Sequence, residues 1–302
     1  MGVSGPHCVV CEAGQLEPHL SVAGEVGQEG LIPTTTRFGT ALGNIVRCRA
    51  CGHMQLDPMP ADALLAEAYG EAASEDYVGE EAGQRETARR ALASVERHLP
   101  PTGSPPRLLD LGCWVGFLLA EARARGWSTL GVEPSAFGSR YAREELGLEV
   151  VRAGLFEAEL PAGGFEVVTL GDVIEHLTDP GAALERIRDL LVPDGLLWMA
   201  LPDAGSLVAR GLGRRWWSVI PTHVQYFTRA SIRELLERAG FQVLEITTSP
   251  KAFTVGYYLE RIGGYSPAAG RALKAAANRA RLADRMWAPD FRDRMAVIAR
   301  RA

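Results

Sequence analysis

At 302 residues, with 47% hydrophobic and 23% charged side chains, the chain can bury a full core and is expected to hold one large domain plus a smaller one. A formal net charge of −5 lacks the basic surface that phosphate backbones require, which argues against nucleic acid as partner or acceptor. No run approaches the ~18 apolar residues of a membrane span and the N-terminus lacks a signal-peptide core, so a cytoplasmic protein without a membrane span is expected.

The chain opens on cysteines. Cys8-x-x-Cys11 and Cys48-x-x-Cys51 form two knuckles, each presenting two thiolates from one tight turn. Four thiolates leave no open position for water, which predicts a structural, tetrahedral zinc site rather than a catalytic one or two disulfides. His7 and His53 flank the knuckles and could each replace a cysteine as ligand, but read as surface residues. Residues 1–58 are therefore expected to be a zinc-ribbon-like domain. Its Gly24–Thr40 insert reads as short strands and loops that bury no core without the metal, and Asp57-Pro58-Met59-Pro60 closes it. Residues 59–106 read as a helical linker or lid, with helices over Ala61–Tyr69 and Gln84–Leu99. The stretch Tyr69–Val78, within an acidic loop, reads either as a lid over a cofactor or as a solvated loop.

Residues 107–302 carry the large domain. In Arg107–Leu119, RLLDLGCWVGFLL, a short apolar strand runs into a turn bracketed by Gly112 and Gly116 and then into a helix. Glycine at both places lets backbone amides approach a nucleotide-like group. A second strand, Ser128–Val132, ends in Glu133, placed where a carboxylate takes both hydroxyls of a ribose. Further strands are expected over Leu148–Arg152, Phe165–Leu170, Leu196–Leu201, Phe241–Thr248 and Met295–Arg300, with helices over Pro134–Leu146, 179–191 and Arg229–Ala239. The alternation predicts an α/β, doubly wound parallel sheet. The segment Gly171–Leu177 follows the fourth strand. Ligands of open parallel sheets bind beyond the carboxyl ends of the strands, so its polar side chains should face the same crevice as the glycine turn.

The pairing of a glycine turn with an acid ending the next strand is shared by dinucleotide enzymes and class I S-adenosylmethionine (SAM) methyltransferases. LDLGCWVGFL followed by GVEPS resembles the latter, and the GxGxxG cradle of a dehydrogenase is absent. GDVIEHLTDP, LVPDGLLWMALPD and HVQYFTRASIRELLERAGF resemble, in order, the later motifs of the ubiquinone-pathway O-methyltransferases and their relatives in the methyltransferase type 11/12/23 group. The resemblance covers about residues 85–250 and 294–300. It implies a seven-stranded Rossmann-like sheet whose last strand inserts antiparallel beside the fifth, and so a helical insertion over about 250–290 near the pocket mouth. Trp114 stands where the family's GxGxG has its middle glycine, which puts one backbone contact in question.

Carried over residue by residue, the resemblance implies that Asp110, Gly112, Cys113 and Gly116 line the methionine and ribose parts of SAM. Glu133 would hold the ribose, Pro134 and Ser135 would flank the adenine, and Gly154, Leu155 and Phe156 would form its other wall. Asp172 and Val173 would sit beside the methionine end. Methyl transfer is largely positioning, but a hydroxyl acceptor needs a base, for which His176 is the first candidate and His223 the second. Each has an alternative reading as an anchoring residue. Some relatives bind a divalent metal through an acid-x-x-Glu-His motif and a later His, a layout matched here by Asp172, Glu175, His176 and His223. Trp216, Trp217, Tyr226, Phe227, Tyr257 and Tyr258 read either as an acceptor pocket or as core. The expected activity is O-methylation of a small molecule, sugar-linked or carrier-bound, in bacterial natural-product, sugar or envelope metabolism. N- or C-methylation, and a non-catalytic SAM-binding module that recruits a protein partner, are the alternatives.

Overall fold

The computed structural model describes residues 7–24, 38–70, 78–100 and 104–302. Most of the Gly24–Thr40 insert and of the Tyr69–Val78 stretch lies outside the described residues.

Three short strands open the chain: β1 (Leu16–Leu20), β2 (Asn44–Cys48) and β3 (Met54–Asp57), paired antiparallel in that order. Helices α1 (Asp62–Gly70) and α2 (Glu81–Glu96) follow. Strand β4 (Arg107–Leu111), helix α3 (Phe117–Ala124), strand β5 (Ser128–Val132), helix α4 (Ala136–Glu144) and strand β6 (Val150–Val151) make the first half of the large domain. The second half holds β7 (Phe165–Gly171), α5 (Pro180–Leu190), β8 (Leu191–Pro202), α6 (Leu207–Leu212), β9 (Gln225–Tyr226), α7 (Arg229–Arg238) and β10 (Phe241–Thr248). The helical insertion is β11 (Phe253–Thr254), α8 (Val255–Arg261), α9 (Pro267–Arg279) and β12 (Met286–Trp287), and β13 (Arg294–Arg301) ends the fold.

Seven strands form one sheet in the order β10-β13-β8-β7-β4-β5-β6. β13 runs antiparallel to both β8 and β10, the one reversal in a sheet that is otherwise parallel. The central strands read as unbroken apolar runs because helices cover both faces. On one face α2 lays Ala91, Leu92 and Val95, a stripe at helical spacing, against Leu108, Trp198 and Ile298. On the other, Leu184 and Ile187 of α5 and Ile232, Leu235 and Leu236 of α7 pack on Leu109, Leu170 and Met199. β8 starts five residues before the expected position and takes in Pro193-Asp194-Gly195; its pairing with β7 changes register there.

The small sheet does not end at residue 58. β9, from the large domain, pairs with β3 at Met54↔Tyr226 and Gln55↔Gln225, giving a four-stranded sheet of order β1-β2-β3-β9. Its apolar face is shared too: Val22, Ala41, Ile45 and Leu56 cluster with Trp216, Val219 and Tyr226. Among the described residues, no helix is long and apolar enough to cross a membrane.

Candidate active site

The carboxyl edge of the sheet gathers the polar groups. Asp110 on β4 is buried and accepts from Thr169 Oγ1 on β7 at 2.7 Å. Burial pushes its carboxyl up to about 7; the Thr169 bond opposes this and the Glu133 charge adds to it. Gly112, with φ 72°, and Gly116, with φ 84°, sit in the left-handed region. Packing demands glycine at both. A Cβ at Gly112 would lie 2.6 Å from Val173 Cγ2, and one at Gly116 would lie 2.5 Å from Leu148 Cδ1 and 3.1 Å from Ala142 Cβ. The turn is thus tight against its own neighbours rather than left open on that side.

Trp114 answers the question its identity raised. Its φ of 50° keeps the left-handed conformation a glycine would favour, and its amide donates to Glu133 Oε2 at 2.7 Å. Glu133 also accepts from the Ser135 amide at 2.8 Å. Burial pushes this carboxyl up to about 7 even though the two amides hold it down. Ser135 caps α4 through its hydroxyl, which accepts from Gly138 N at 3.0 Å. Cys113 packs its Sγ toward Gly131 of β5, and Pro134 precedes the cap. Gly154 and Leu155 lie in the loop after β6, where Arg186 donates to the Leu155 carbonyl at 2.8 Å; Phe156 beside them is half exposed.

A cleft lies over the turn on the α2 face, lined by Gly112, Cys113, Trp114, Asp172, Trp198, Lys251, Phe253 and Arg294 among others. Asp172 adopts φ 58° at the end of β7. Its two oxygens are taken by Lys251 Nζ and Arg294 Nη1, each at 2.6 Å. Against the opposing effect of burial, Arg294 and Lys251 hold its carboxyl well below the usual carboxylate range. Sequence reasoning missed both cations. The available signal was compositional: Lys251 is one of only two lysines, and it directly follows the sixth strand.

Behind Asp172 the chain makes a short 3-10 turn, Ile174–His176. Glu175, His176 and His223 converge there, with a ligand atom from each within 4.8 Å of the others. His176 Nδ1 meets the Thr222 carbonyl at 2.7 Å and His223 Nδ1 meets the Ser218 carbonyl at 2.8 Å. A carbonyl only accepts, so both Nδ1 atoms carry the proton and both Nε2 atoms keep a lone pair. Burial lowers His176 to about 4 and lowers His223 well below its ordinary value. Glu175 is buried and neither oxygen has a hydrogen-bond partner among the described residues; burial pushes it up to about 8, the Asp172 charge adding to it. The four-residue metal layout drawn from the sequence needs correction, since Asp172 is held by two cations and stands outside this group.

At the ribbon, Cys8, Cys11, Cys48 and Cys51 converge as free thiols, with Sγ–Sγ separations of 3.5 Å for Cys8–Cys51 and for Cys11–Cys48. A tetrahedral zinc with 2.3 Å bonds would set those edges at about 3.8 Å, so the arrangement fits that ion. His53 is not a surface residue: it is 1% exposed and shares a 2.9 Å hydrogen bond with Gln225 Oε1. His7 is exposed. Of the aromatic side chains singled out above, Trp216, Tyr226 and Phe227 are buried core, and Trp216 donates to Asp293 at 3.1 Å. Tyr257 stacks on Phe253, whose neighbour in space is also Tyr258.

Comparison with known proteins sets this geometry in context. The family profile described as a methyltransferase domain matches residues 83–246. The chain is similar to the ubiquinone biosynthesis O-methyltransferase of Cereibacter sphaeroides, 32% identical over 152 residues that cover 46% of this chain and 61% of that protein. It therefore spans about three fifths of that relative's length. Among solved structures it is similar to a SAM-dependent methyltransferase of Thermotoga maritima, with 17% identity, a TM-score of 0.50 and coverage of 75% of this chain and 95% of that one. It is also similar to the 1,6-didemethyltoxoflavin-N1-methyltransferase of Burkholderia thailandensis, with 19% identity, a TM-score of 0.50 and coverage of 84% and 97%. At these identities the solved structures show a shared fold.

Proposed function

The chain belongs to the methyltransferase domain family, and from that membership we propose that this SAM-dependent methyltransferase acts on a hydroxyl of a small-molecule acceptor, sugar-linked or carrier-bound. SAM supplies an electrophilic methyl carbon on a sulfonium, so what the protein adds is chiefly placement of the nucleophile. In this reading Asp110 and the Gly112–Gly116 turn seat the methionine and ribose portions, and Glu133 accepts from the ribose hydroxyls. Pro134 and Ser135 on one side and Gly154, Leu155 and Phe156 on the other flank the adenine. Asp172 and Val173 border the methionine end.

The observation that carries oxygen as the methylated atom is the pair of buried imidazoles with unprotonated Nε2 atoms beside Glu175. Alone, an imidazole lowered to about 4 is a weak base toward a hydroxyl. Two neutral imidazoles and a carboxyl group whose oxygens lack partners among the described residues are, however, a donor set suited to a divalent cation, which would favour the ionised carboxylate. Such an ion, held by Glu175, His176 and His223, would lower the pKa of an acceptor hydroxyl. His176 and His223 keep the orientation this requires through their bonds to the Thr222 and Ser218 carbonyls. The name of the Cereibacter relative, an O-methyltransferase, points the same way. At the ribbon, zinc on Cys8, Cys11, Cys48 and Cys51 is structural, because four thiolates leave no position for water.

Native mass spectrometry with metal analysis tests the cofactors: SAM or S-adenosylhomocysteine (SAH) and one zinc per chain are expected. Production of SAH with a panel of hydroxylated acceptors, set against their O-methyl ethers, tests the atom methylated. Turnover on the ethers would remove oxygen as the site. His176→Ala should lower turnover at least tenfold while leaving SAH affinity unchanged.

A further inference from the structure

Three hydrogen-bond donors in the cleft have work left to do. Lys251 Nζ has three N–H groups, and its described partner is a single oxygen of Asp172. Arg294 spends Nη1 on the other oxygen, while its Nε is buried without a partner among the described residues. Trp198 Nε1, on the neighbouring strand β8, is buried and likewise has none. Lys251, Arg294 and Trp198 all line the cleft that the Gly112–Trp114 turn borders. Arg294 Nε and Trp198 Nε1 are buried donors without a partner among the described residues and Lys251 keeps N–H groups to spare, so the cleft these three residues line calls for a ligand rich in acceptors.

The charges agree. Two cations pair directly with the single carboxylate of Asp172, with side-chain exposures of 26% for Lys251 and 18% for Arg294; Glu175 acts on both at longer range and Asp293 on Arg294, but among the described residues neither forms an ion pair with them. The cleft's other acid, Asp110, is engaged by Thr169. Asp172 fixes the two cations toward the strand ends and neutralises only one of them.

We propose that Lys251 and Arg294, oriented by Asp172 and joined by the Trp198 N–H, form a seat for a carboxylate or phosphate group of the bound reactants. The seat rests on the methyltransferase reading for its role but not for its chemistry. The same chemistry has two sources, the amino-acid carboxylate of the cofactor and an acid group on the methyl acceptor. Both sources lie within reach of a cleft bordered by the glycine turn.

Isothermal titration of the intact protein separates them. SAH carries the carboxylate and 5′-methylthioadenosine does not. If the seat takes the cofactor's carboxylate, Lys251→Met weakens SAH about tenfold and leaves methylthioadenosine unchanged. If it takes an acceptor's acid, both adenosyl ligands are unaffected, and benzoate or inorganic phosphate added to the SAH complex binds about tenfold more weakly in Lys251→Met. Asp172→Asn gives the decisive sign. Removing the internal counter-ion should tighten the same anion severalfold, whereas loss of a purely structural salt bridge would weaken or spare it. Lys251→Arg keeps the charge and should retain at least a third of the wild-type affinity, which controls for misfolding. The proposal is overturned if no anion changes affinity more than twofold in either variant, or if Asp172→Asn weakens the anion that Lys251→Met weakens. Failure of the wild type to bind either adenosyl ligand would count against the methyltransferase reading instead, while titration with benzoate and phosphate would still judge the seat.

Discussion

The two sheets of the molecule are closed by different means. The seven-stranded sheet needs nothing beyond its own side chains: β4, β7 and β8 are buried on both faces under α2 on one side and α5 and α7 on the other. The four-stranded sheet has a smaller cluster, in which Leu65 of α1, Ala209 of α6 and Trp216 pack with Ile45 and Leu56. At one end four thiols gather it, and at the other it is completed by β9, a strand belonging to the larger domain. Gln55 ties the two ends together, accepting from Val9 N at 3.0 Å in the first knuckle while its backbone pairs with Gln225. Gln225 in turn donates to the Leu177 carbonyl at 3.1 Å, next to the turn that carries Glu175 and His176. The small sheet is therefore a wall of the large domain, and one residue, Val224, separates its last strand from His223.

Breaking each sheet where it is weakest should expose the difference. The largest effect is expected at the ribbon: Cys48→Ser should abolish zinc retention, read by metal analysis, and cost several kcal/mol in a chemical melt, because Cys48 is buried and the metal would join the two knuckles. A wild-type protein that binds no zinc would remove this account of the ribbon. In the large sheet the sharpest lesion is Gly116→Ala. The left-handed backbone costs about 1–2 kcal/mol for a residue with a Cβ, and crowding against Leu148 and Ala142 adds about 1–3 kcal/mol. Urea denaturation should show a loss of about 2–5 kcal/mol with zinc retained. At the junction, Gln225→Ala removes the partner of buried His53 and the bond to Leu177, at a cost of about 1–3 kcal/mol. Arg49→Ala, which breaks the exposed pair with Glu17 inside the small sheet, should stay under about 0.5 kcal/mol.

What the sequence revealed follows the same divide. Local patterns were legible: the strand, turn and helix around Gly112 and Gly116, the order of the seven strands, and the cysteine spacing that brings four thiols together. Each depends on residues close in the chain or on a periodicity that burial imposes. Long-range partnerships were not legible. His53 read as a surface residue flanking the second knuckle, yet it is buried and bonded to Gln225, 172 positions away. Asp172 read as a member of a metal set because of its spacing from Glu175 and His176; Lys251 and Arg294 claim it, and no local rule announces cations delivered from β13 and from the segment after β10. Trp216, Tyr226 and Phe227 left core and pocket equally open, since an aromatic residue looks the same to a sequence in either role, and packing against the small sheet decided for core.

A last effect concerns pH and separates the empty protein's stability from its binding. Burial raises Glu133, and Asp110 beside it, to about 7 from ordinary carboxyl values near 4. A raised carboxyl favours its protonated form in the folded state, so the stability these groups contribute is fully present below about pH 4 and is lost as pH rises through 7. Cofactor binding should run the other way. Ribose hydroxyls donate best to an ionised Glu133, so SAH affinity should increase severalfold between pH 6 and pH 8, worth no more than about 1 kcal/mol. Glu133→Gln removes the titrating group and should flatten the binding profile while reducing the alkaline loss of stability. A profile for Glu133→Gln that keeps the wild-type rise would place the titration elsewhere and take the ribose contact from Glu133. Calorimetric titration across that pH range, paired with melts of the cofactor-free protein, reads both slopes on one sample.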